Sequence, residues 1–347
     1  MSSPSIHQTP VFCSIVDSAY FLGAVALVNS LRLTGHTGEI AFLDVGLNEG
    51  QRAFLEQEAT VHDGLIGSGW LSVFAKPMLG LVNPDRIVVI LDNDLVITGS
   101  LEPLVRAAEE GAIAVFSQPD STRWFAEWEQ LFSLQQPLRR GPYVNGGCVA
   151  LSTGRWRGFL SRWYEVGESV AAARASRSFL LRQQEVVSDP VGYNEQDTLN
   201  ALLMSEVPES ALRVWAHDLT PFWEERHDVR IIDSRSLRCD ARGQALLFLH
   251  STGQPKPWQP RGWLKLRFRA FNRLLTRVLV GEDAPLRLRP EQIPPWLQPG
   301  LRGRLLEHSG AAIARMAYGS LAIVPRGLRA RITAASRARL SGTGARA

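Results

Sequence analysis

The segment RIVVILDNDLVITGSL (residues 86–101) decides the fold prediction, because it contains the most hydrophobic strand pattern of the chain. Residues 85–92 form a run typical of a strand that is buried on both faces of a sheet. Asp92, Asn93 and Asp94 follow at its end. Two carboxylates there are costly unless a positive charge compensates them, and alternate residues of an extended segment point the same way. The pair predicts a site for Mg²⁺ or Mn²⁺, with diphosphate oxygens completing the shell; a turn or a cap is the alternative.

Strand and helix patterns alternate on both sides of this segment. Strand patterns occupy residues 11–17, 39–47 and 111–117, and helical patterns occupy residues 20–33, 51–59 and 102–110. This alternation predicts an α/β fold with a mostly parallel central sheet flanked by helices. Because ligands of such sheets bind beyond the carboxyl ends of the strands, the candidate residues are sought there.

The composition excludes several classes of protein. The chain has 347 residues, 45% of them apolar and 21% charged, which excludes a disordered chain, and its 29 glycines form no repeat, which excludes collagen. No apolar run reaches the roughly 18 residues of a spanning helix. Residues 1–17 contain no basic region followed by an apolar stretch, so we expect no secretory signal and a cytoplasmic location. The widely spaced Cys13, Cys148 and Cys239 predict small buried thiols.

Charge divides the chain into two parts. Residues 1–255 carry 20 basic and 30 acidic side chains, whereas Lys256 to the end carries 18 basic and 4 acidic ones. We therefore predict a catalytic domain at 1–260 and a basic helical extension at 261–347, with a Pro-rich linker at 284–300.

The extension begins with a pattern that has two interpretations. Residues 262–281 alternate large apolar side chains with Arg and Lys, and one helical side would carry Leu264, Phe268, Phe271, Leu275 and Leu279. Such a helix lies either in the interface of an anionic membrane or on the first domain with a solvated basic face. Residues 311–324 are too short to span a bilayer and predict a docking helix. No nucleic-acid-binding motif accompanies the charge, so we expect no nucleic-acid partner.

Three further groups of polar residues carry candidate chemistry. His250 ends a strand pattern at 245–253, and Gly253 and Lys256 follow it, as a metal ligand beside a diphosphate site would require. Asn145 and Gly146 open a strand pattern at 143–152, where a simple turn is the alternative. Residues 194–197 precede a helical pattern, where helix capping is the alternative.

Together these motifs resemble those of the family 8 glycosyltransferases, which include glycogenin-like enzymes and bacterial lipooligosaccharide galactosyl- and glucosyltransferases. The resemblance covers residues 11 to 260 in order, through IVDSAYFLGAVALVNSL (15–31), VILDNDLVITGSLEPL (89–104), YVNGGCVALSTGRWR (143–157), NEQDTLNALL (194–203) and HSTGQPKPW (250–258). It implies a GT-A fold and metal-dependent transfer of glucose or galactose from a UDP-sugar to a glycan or glycolipid acceptor, with retention of anomeric configuration.

The same resemblance implies a role for each candidate residue. Mn²⁺ (or Mg²⁺) would be bound by Asp92, Asp94 and His250. Other donor-binding positions would be Asp17 and Tyr20 at the nucleoside, Lys76 near the sugar or phosphate, Gly253 and Lys256 at the diphosphate, and Asn93 and Gly146. The catalytic group would comprise Asn145 and Glu195 at sugar hydroxyls, Gln196 beside the anomeric carbon, and Asp197.

The sequence departs from the family pattern at two positions near the expected donor sugar. Glu195 replaces the usual Asp and is one methylene longer, and Gly146-Gly147 stands where a small residue and Gly are usual, so the donor pocket is expected to be reshaped. Because the Gln196 amide is a poor nucleophile, we favour front-side attack by the acceptor within a short-lived ion pair.

Other functions are compatible with parts of the pattern. The D-x-D strand also resembles that of haloacid-dehalogenase-like phosphatases, but Asp233 and Asp240 are too far apart in sequence to supply the downstream acidic pair. A second alternative is a catalytically inactive sugar-nucleotide-binding or scaffold protein of the same fold. Self-glucosylation is not favoured, because the chain has only five tyrosines and Tyr20 already has an expected role.

Overall fold

The computed structural model describes residues 9–64, 72–119, 122–175, 188–220, 228–262 and 269–300. These ranges contain twelve strands: β1 Val11–Val16, β2 Glu39–Asp44, β3 Thr60–Asp63, β4 Ile87–Leu91, β5 Leu95–Ile97, β6 Ile113–Ser117, β7 Val144–Ser152, β8 Leu212–Trp215, β9 Val229–Asp233, β10 Arg238–Ala241, β11 Gln244–Ala245 and β12 Phe248–His250. They also contain eight α-helices: α1 Phe21–Leu33, α2 Glu49–Leu55, α3 Lys76–Leu81, α4 Glu102–Glu109, α5 Trp128–Leu131, α6 Thr153–Ala175, α7 Glu195–Ser205 and α8 Arg269–Val280.

Seven strands form the central sheet in the order β3-β2-β1-β4-β7-β6-β8. Every neighbouring pair is parallel except the two that involve β7, which runs against β4 and β6. The prediction of a mostly parallel sheet flanked by helices is therefore confirmed. The reversal of β7 brings its first residues to the edge where β1 and β4 end.

Both faces of this sheet are covered, as the apolar strand patterns predict. Along β4, Ile87, Val89 and Leu91 face a core that includes α1, α4 and α8. The alternate residues Val88 and Ile90 face a second core that includes α3, α6 and α7. A strand with a two-residue side-chain period can be apolar throughout only when both of its faces are buried.

Two small sheets complete the described chain. Strands β9, β10 and β11 form an antiparallel sheet of their own. Strand β12 pairs antiparallel with β5, with His250 opposite Leu95. The strand predicted at 245–253 is shorter in the structure, because its partner β5 has three residues and Gly253 turns the chain with a φ of +70°.

The described part of the basic extension packs on the same core. Helix α8 buries Phe271, Leu275 and Leu279, three members of the predicted apolar side, whereas Leu264 and Phe268 lie outside the described residues. Residues 269–280 therefore form a helix that packs on the protein core, which is the second of the two interpretations given for this segment. The segment 284–300, predicted as a linker, has buried side chains in this core at Leu286, Leu288, Ile293 and Leu297. The domain boundary near residue 260 stays a prediction.

Asn29 joins the extension to the first domain. This buried side chain in α1 donates to the carbonyls of Val278 and Leu286 at 2.7 and 2.9 Å and accepts from the Leu286 amide at 2.8 Å. None of the described helices is long and apolar enough to cross a membrane. The docking helix predicted at 311–324 lies outside the described residues.

Candidate active site

Asp92, Asn93 and Asp94 form the turn between β4 and β5, rather than the extended segment expected from the sequence. Asn93 Nδ2 donates to the carbonyl of Ile15 at 2.7 Å, which attaches the turn to the end of β1. The two carboxylates nevertheless converge. One ligand atom each from Asp92, Asp94 and His250 lies within 4.8 Å of the others.

His250 reaches this cluster because β12 pairs with β5. Its Nε2 atom lies 3.1 Å from Asp94 Oδ1 and 3.9 Å from Asp92 Oδ2. Gly147 closes the same space, since a Cβ atom there would come within 2.7 Å of His250 Cε1 and 3.1 Å of Asp92 Oδ2. Two carboxylates and an imidazole in a cradle that excludes a methyl group fit a divalent cation.

Two lysines neutralise the other oxygen of each carboxylate. Lys76 Nζ lies 2.7 Å from Asp92 Oδ1 and 2.8 Å from Glu195 Oε1, and it donates to the Gly146 carbonyl at 3.1 Å. Lys256 Nζ pairs with Asp94 Oδ2 and donates to the Ser251 carbonyl at 2.9 Å. One oxygen of each aspartate thus pairs with a lysine, and the other faces His250. The two oxygens that face His250 are the ones available to bind a metal ion.

These contacts keep Lys76 and Asp94 charged despite their burial. Burial disfavours the charged amine of Lys76, but Asp92 and Glu195 raise its pKa above the usual value. Burial likewise opposes ionisation of Asp94, yet Lys256 and His250 hold the pKa of its carboxyl well below the usual value. Burial raises the pKa of Glu195, and Lys76 opposes this effect. The site therefore contains fixed charges of both signs, the arrangement that stabilises a charged ligand in a protein.

A cavity of about 200 Å³ opens beside these charges. Eight of the predicted site residues line it: Asp17, Tyr20, Lys76, Asp92, Asn93, Asp94, Glu195 and Lys256. Asp17 Oδ1 accepts from the Tyr20 amide at 2.9 Å, so the turn before α1 is held in shape. Tyr20 lies edge-on to Trp258, and its hydroxyl accepts from Gln254 Nε2 at 2.7 Å. An aromatic ring and a carboxylate thus stand at one end of the cavity.

Asn145, Gly146 and Gln196 form a hydrogen-bonded group next to Glu195. Gln196 Oε1 accepts from Asn145 Nδ2 at 3.2 Å and from the Gly146 amide at 3.1 Å. Gln118 also accepts from Asn145 Nδ2, at 3.0 Å. The prediction that 143–152 forms a strand is confirmed by β7, and the Asn-Gly-Gly sequence lies inside that strand rather than in a turn before it.

Asp197 is held by other groups of the protein, and its place among the catalytic residues stays a prediction. Its carboxylate is fully buried and accepts from Arg123 Nε and Nη2 at 2.7 and 2.8 Å, from the Tyr143 hydroxyl at 2.7 Å and from the Tyr193 amide at 2.7 Å. The Asp197 carboxylate is thus hydrogen-bonded to protein groups, and Asp197 is not among the residues that line the cavity. Helix capping is the alternative for residues 194–197. Asn194 is the N-cap residue of α7, and its side chain makes no capping hydrogen bond.

The sequence reasoning missed Arg123, Tyr143 and Gln118. Gln118 follows β6 directly, so the rule that ligands gather at strand ends would have found it. Arg123 has no local signal, because its partner lies 74 positions away.

The phosphatase alternative would need Asp233 and Asp240 as an acidic pair. Asp233 accepts hydrogen bonds from its own turn, and Asp240 pairs with Arg230 in the separate β9–β11 sheet.

Comparison with known proteins places the fold. No protein-family model and no curated protein sequence matches the chain. Among solved structures, the bifunctional glycosyltransferase WbbM matches 79% of this chain and 50% of its own, at 12% identity and a TM-score of 0.50. The galactosyltransferase LgtC, in complex with donor and acceptor sugar analogues, matches 75% of this chain and 94% of its own at 16% identity and a TM-score of 0.47. The fold is GT-A.

GlyE of Streptococcus pneumoniae, a further glycosyltransferase, matches 78% of this chain and 62% of its own at 15% identity and a TM-score of 0.46. At identities of 12–16%, the likeness to these neighbours concerns the fold alone. Within this GT-A fold, the candidate site lies where β1 and β4 end and β7 begins.

Proposed function

We propose that the protein is a metal-dependent, retaining hexosyltransferase that moves glucose or galactose from a UDP-sugar to a glycan or glycolipid. The observation that carries this proposal is the convergence of Asp92, Asp94 and His250 beside a cavity that also holds Tyr20 and Lys256. A divalent cation, a diphosphate and an aromatic nucleobase each find a matching group there.

The nucleoside end of the donor is assigned to the turn before α1. Tyr20 presents an aromatic ring to the uracil, and Asp17 presents a carboxylate that accepts hydrogen bonds from the base or the ribose. The bond from the Tyr20 amide to Asp17 holds both groups in one turn, so they are positioned before the donor arrives. Asn93, which also lines the cavity, fixes the D-x-D turn against β1.

The diphosphate is assigned to the metal cluster, Lys256 and Gly253. Asp92, Asp94 and His250 would hold a divalent cation, which would supply Lewis-acid stabilisation of the departing diphosphate. Lys256 adds a fixed positive charge, and Gly253, with a φ of +70°, lets the backbone approach closely. Because these charges are in place before the reaction, little reorganisation is needed as the leaving group gains negative charge.

The hexose is assigned to Glu195, Asn145, Gly146 and Lys76. In the reaction, the bond between the anomeric carbon and the diphosphate oxygen breaks, and its electron pair stays on the diphosphate. The acceptor hydroxyl forms the new bond on the same face, and its proton passes to the departing diphosphate oxygen. Gln196 would lie beside the anomeric carbon and stabilise the positive charge that develops there.

The contacts of the nearby carboxylates support attack without a covalent sugar intermediate. Four donors occupy the Asp197 carboxylate, and Lys76 holds Glu195 at 2.8 Å. We therefore assign Asp197 a positioning role at the start of α7, where it orients Glu195 and Gln196. A trapped glycosyl group on Glu195 or Asp197 would contradict this mechanism.

The acceptor is proposed from charge alone. The balance of 18 basic to 4 acidic side chains after residue 255 suits peripheral contact with an anionic membrane that carries a glycolipid. Since the apolar face of α8 is buried in the protein, such a contact would be electrostatic along residues 269–280.

The test is release of UDP from a panel of UDP-sugars, with and without Mn²⁺, by wild type and by Asp94→Asn. We expect slow hydrolysis of UDP-glucose or UDP-galactose that both chelator and Asp94→Asn abolish. Asp240→Asn, the same chemical change in the β9–β11 sheet, is the matched control and should keep activity. Mn²⁺-dependent UDP binding without turnover, even with glycan acceptors added, would favour the inactive sugar-nucleotide-binding alternative. Failure to bind any nucleotide would overturn the proposal.

A further inference from the structure

A second cavity, of about 630 Å³, lies outside the candidate active site. We call it the glutamine groove, because Gln51, Gln259 and Gln292 line it. It shares the loop 17–20 with the first cavity. Asp17 and Tyr20 line the first cavity, whereas Ser18 and Ala19 line the groove. One short loop therefore separates the two, and nothing in the proposed reaction uses the groove.

The groove combines an apolar floor with an uncharged rim. Trp258 and Leu288, both buried, form the floor, and the half-buried Phe21 and Leu22 stand beside them. None of its described lining residues has an ionisable side chain. In a chain with 38 basic and 34 acidic residues, a cavity of this size without a charge selects for an uncharged ligand, because a charged one would lose hydration without compensation.

The three glutamines share one geometry. Gln51 Oε1 accepts from the amide of Asn48 at 3.2 Å, Gln259 Oε1 from that of Lys256 at 2.9 Å, and Gln292 Oε1 from that of Arg289 at 2.8 Å. In each case the oxygen turns back to the residue three positions earlier. A backbone N–H can be paired only with an acceptor, so these bonds fix which end of each carboxamide is the oxygen.

The consequence is that the NH₂ group of each of these lining residues is available to a ligand. Within the described residues, none of the three Nε2 atoms donates to a protein atom. The groove therefore presents several hydrogen-bond donors around an apolar floor, without charge. A matching ligand is neutral, rich in oxygen acceptors, and apolar on one face.

We propose that the glutamine groove binds a neutral carbohydrate. Sugar rings carry hydroxyl oxygens around their edge and C–H groups on their faces, which suits amide donors around an apolar floor. The volume lies within the usual range of roughly 300–1,000 Å³ for ligand pockets. This inference rests on the groove itself, and it holds whether or not the proposed transfer reaction is correct.

The test measures sugar binding in the absence of any donor. Lactose and maltotriose are added at millimolar concentration, and saturation-transfer NMR and calorimetry report binding. Gln51→Glu and Gln292→Glu keep the oxygen that pairs with the backbone and replace the NH₂ donor with an acceptor. We expect each variant to weaken the affinity by about tenfold, since one hydrogen bond is replaced by a repulsive contact.

Two controls separate the groove from the active site. Gln130→Glu makes the same change at an exposed position outside the groove and should leave the affinity unchanged. Asp94→Asn should retain sugar binding, and both groove variants should retain UDP binding. If neither sugar binds the wild-type protein, or if both groove variants bind the sugars as tightly as the wild type does, the groove is not a carbohydrate site. Either result leaves the donor assay as an independent measure of the proposed reaction.

Discussion

Lys76 Nζ lies 2.7 Å from Asp92 Oδ1, so the first residue of α3 neutralises a carboxylate at the end of β4. The same amine lies 2.8 Å from Glu195 at the start of α7. One buried cation therefore connects the metal cluster to the assigned sugar position. Its removal would leave two carboxylates close together without a positive charge between them.

Lys76→Met should lower the free energy of unfolding by about 3 kcal/mol, the usual effect of breaking a buried ion pair. Mn²⁺ should recover part of this loss, because a divalent cation replaces the missing positive charge beside Asp92. Denaturant unfolding with and without Mn²⁺ measures both effects. The double variant Lys76→Met, Glu195→Gln should lose less stability, since it removes one of the unpaired charges. Unchanged stability in Lys76→Met would contradict the contact geometry.

Gly147→Ala should weaken metal binding by more than about tenfold while the chain remains folded. The added Cβ would approach His250 Cε1 and Asn145 Oδ1 to 2.7 Å, so the imidazole must move away from the aspartates. The Mn²⁺-induced rise in Tm reports the loss. Gly158→Ala, where a Cβ meets nothing within 4 Å, is the control. Equal metal responses in the two variants would show that Gly147 does not shape the site.

Tyr143→Phe should lower the free energy of unfolding by about 1 kcal/mol and reduce kcat more than it raises KM. The hydroxyl is buried and donates to Asp197 at 2.7 Å, and the Asp197 carboxylate also accepts from the Tyr193 amide just before α7. Tyr164→Phe removes an exposed hydroxyl that donates to Glu168 at 2.7 Å and should change neither quantity. Identical effects of the two substitutions would argue against a positioning role for the Asp197 network.

The thiols should react slowly in the folded protein. All three cysteines are free and buried, and burial raises the pKa of Cys13 and of Cys239 to about 12. Because the folded pKa exceeds the ordinary value of 9.0, the contribution of Cys13 to stability is complete below pH 9 and is lost as the pH rises towards 12. Iodoacetamide at pH 8 should label denatured protein at three sites and native protein far more slowly. Rapid labelling of native Cys13 would contradict its burial.

Asn29→Ala should lower the free energy of unfolding by about 3 kcal/mol, because three buried hydrogen bonds to Val278 and Leu286 are lost. Asn83→Ala, which removes one bond to the Leu79 carbonyl at 2.7 Å, should cost about 1 kcal/mol. Urea unfolding compares the two variants. A small effect at Asn29 would mean that the extension adds little to the stability of the fold.

The sequence predicts the strands of the central sheet well, because their pattern is set by burial on both faces. β1, β2, β4 and β6 each lie within the predicted range. Asp92 and Asp94 converge as expected, although they do so through a turn. The sequence left the turn as an alternative to the metal site, because the bond that fixes it joins Asn93 to the Ile15 carbonyl, 78 positions away.

Contacts between distant segments account for what the sequence could not predict. The sequence did not predict that Arg123 and Tyr143 hold the Asp197 carboxylate, because they lie 74 and 54 positions away. The Pro-rich segment 284–300 has the composition of a linker, yet its leucines pack on α1 and α8. Composition describes a segment alone, whereas burial depends on the surface that the rest of the chain offers.

The pairing of β5 with β12 also sets the moment at which the metal cluster can exist during protein synthesis. Asp92 and Asp94 leave the ribosome long before His250, which reaches them only when β12 is added beside β5. Since domains fold as their residues emerge, a nascent chain that ends before residue 250 holds the acidic pair without its imidazole. A translation product that stops before residue 250 therefore lacks the complete set of candidate metal ligands.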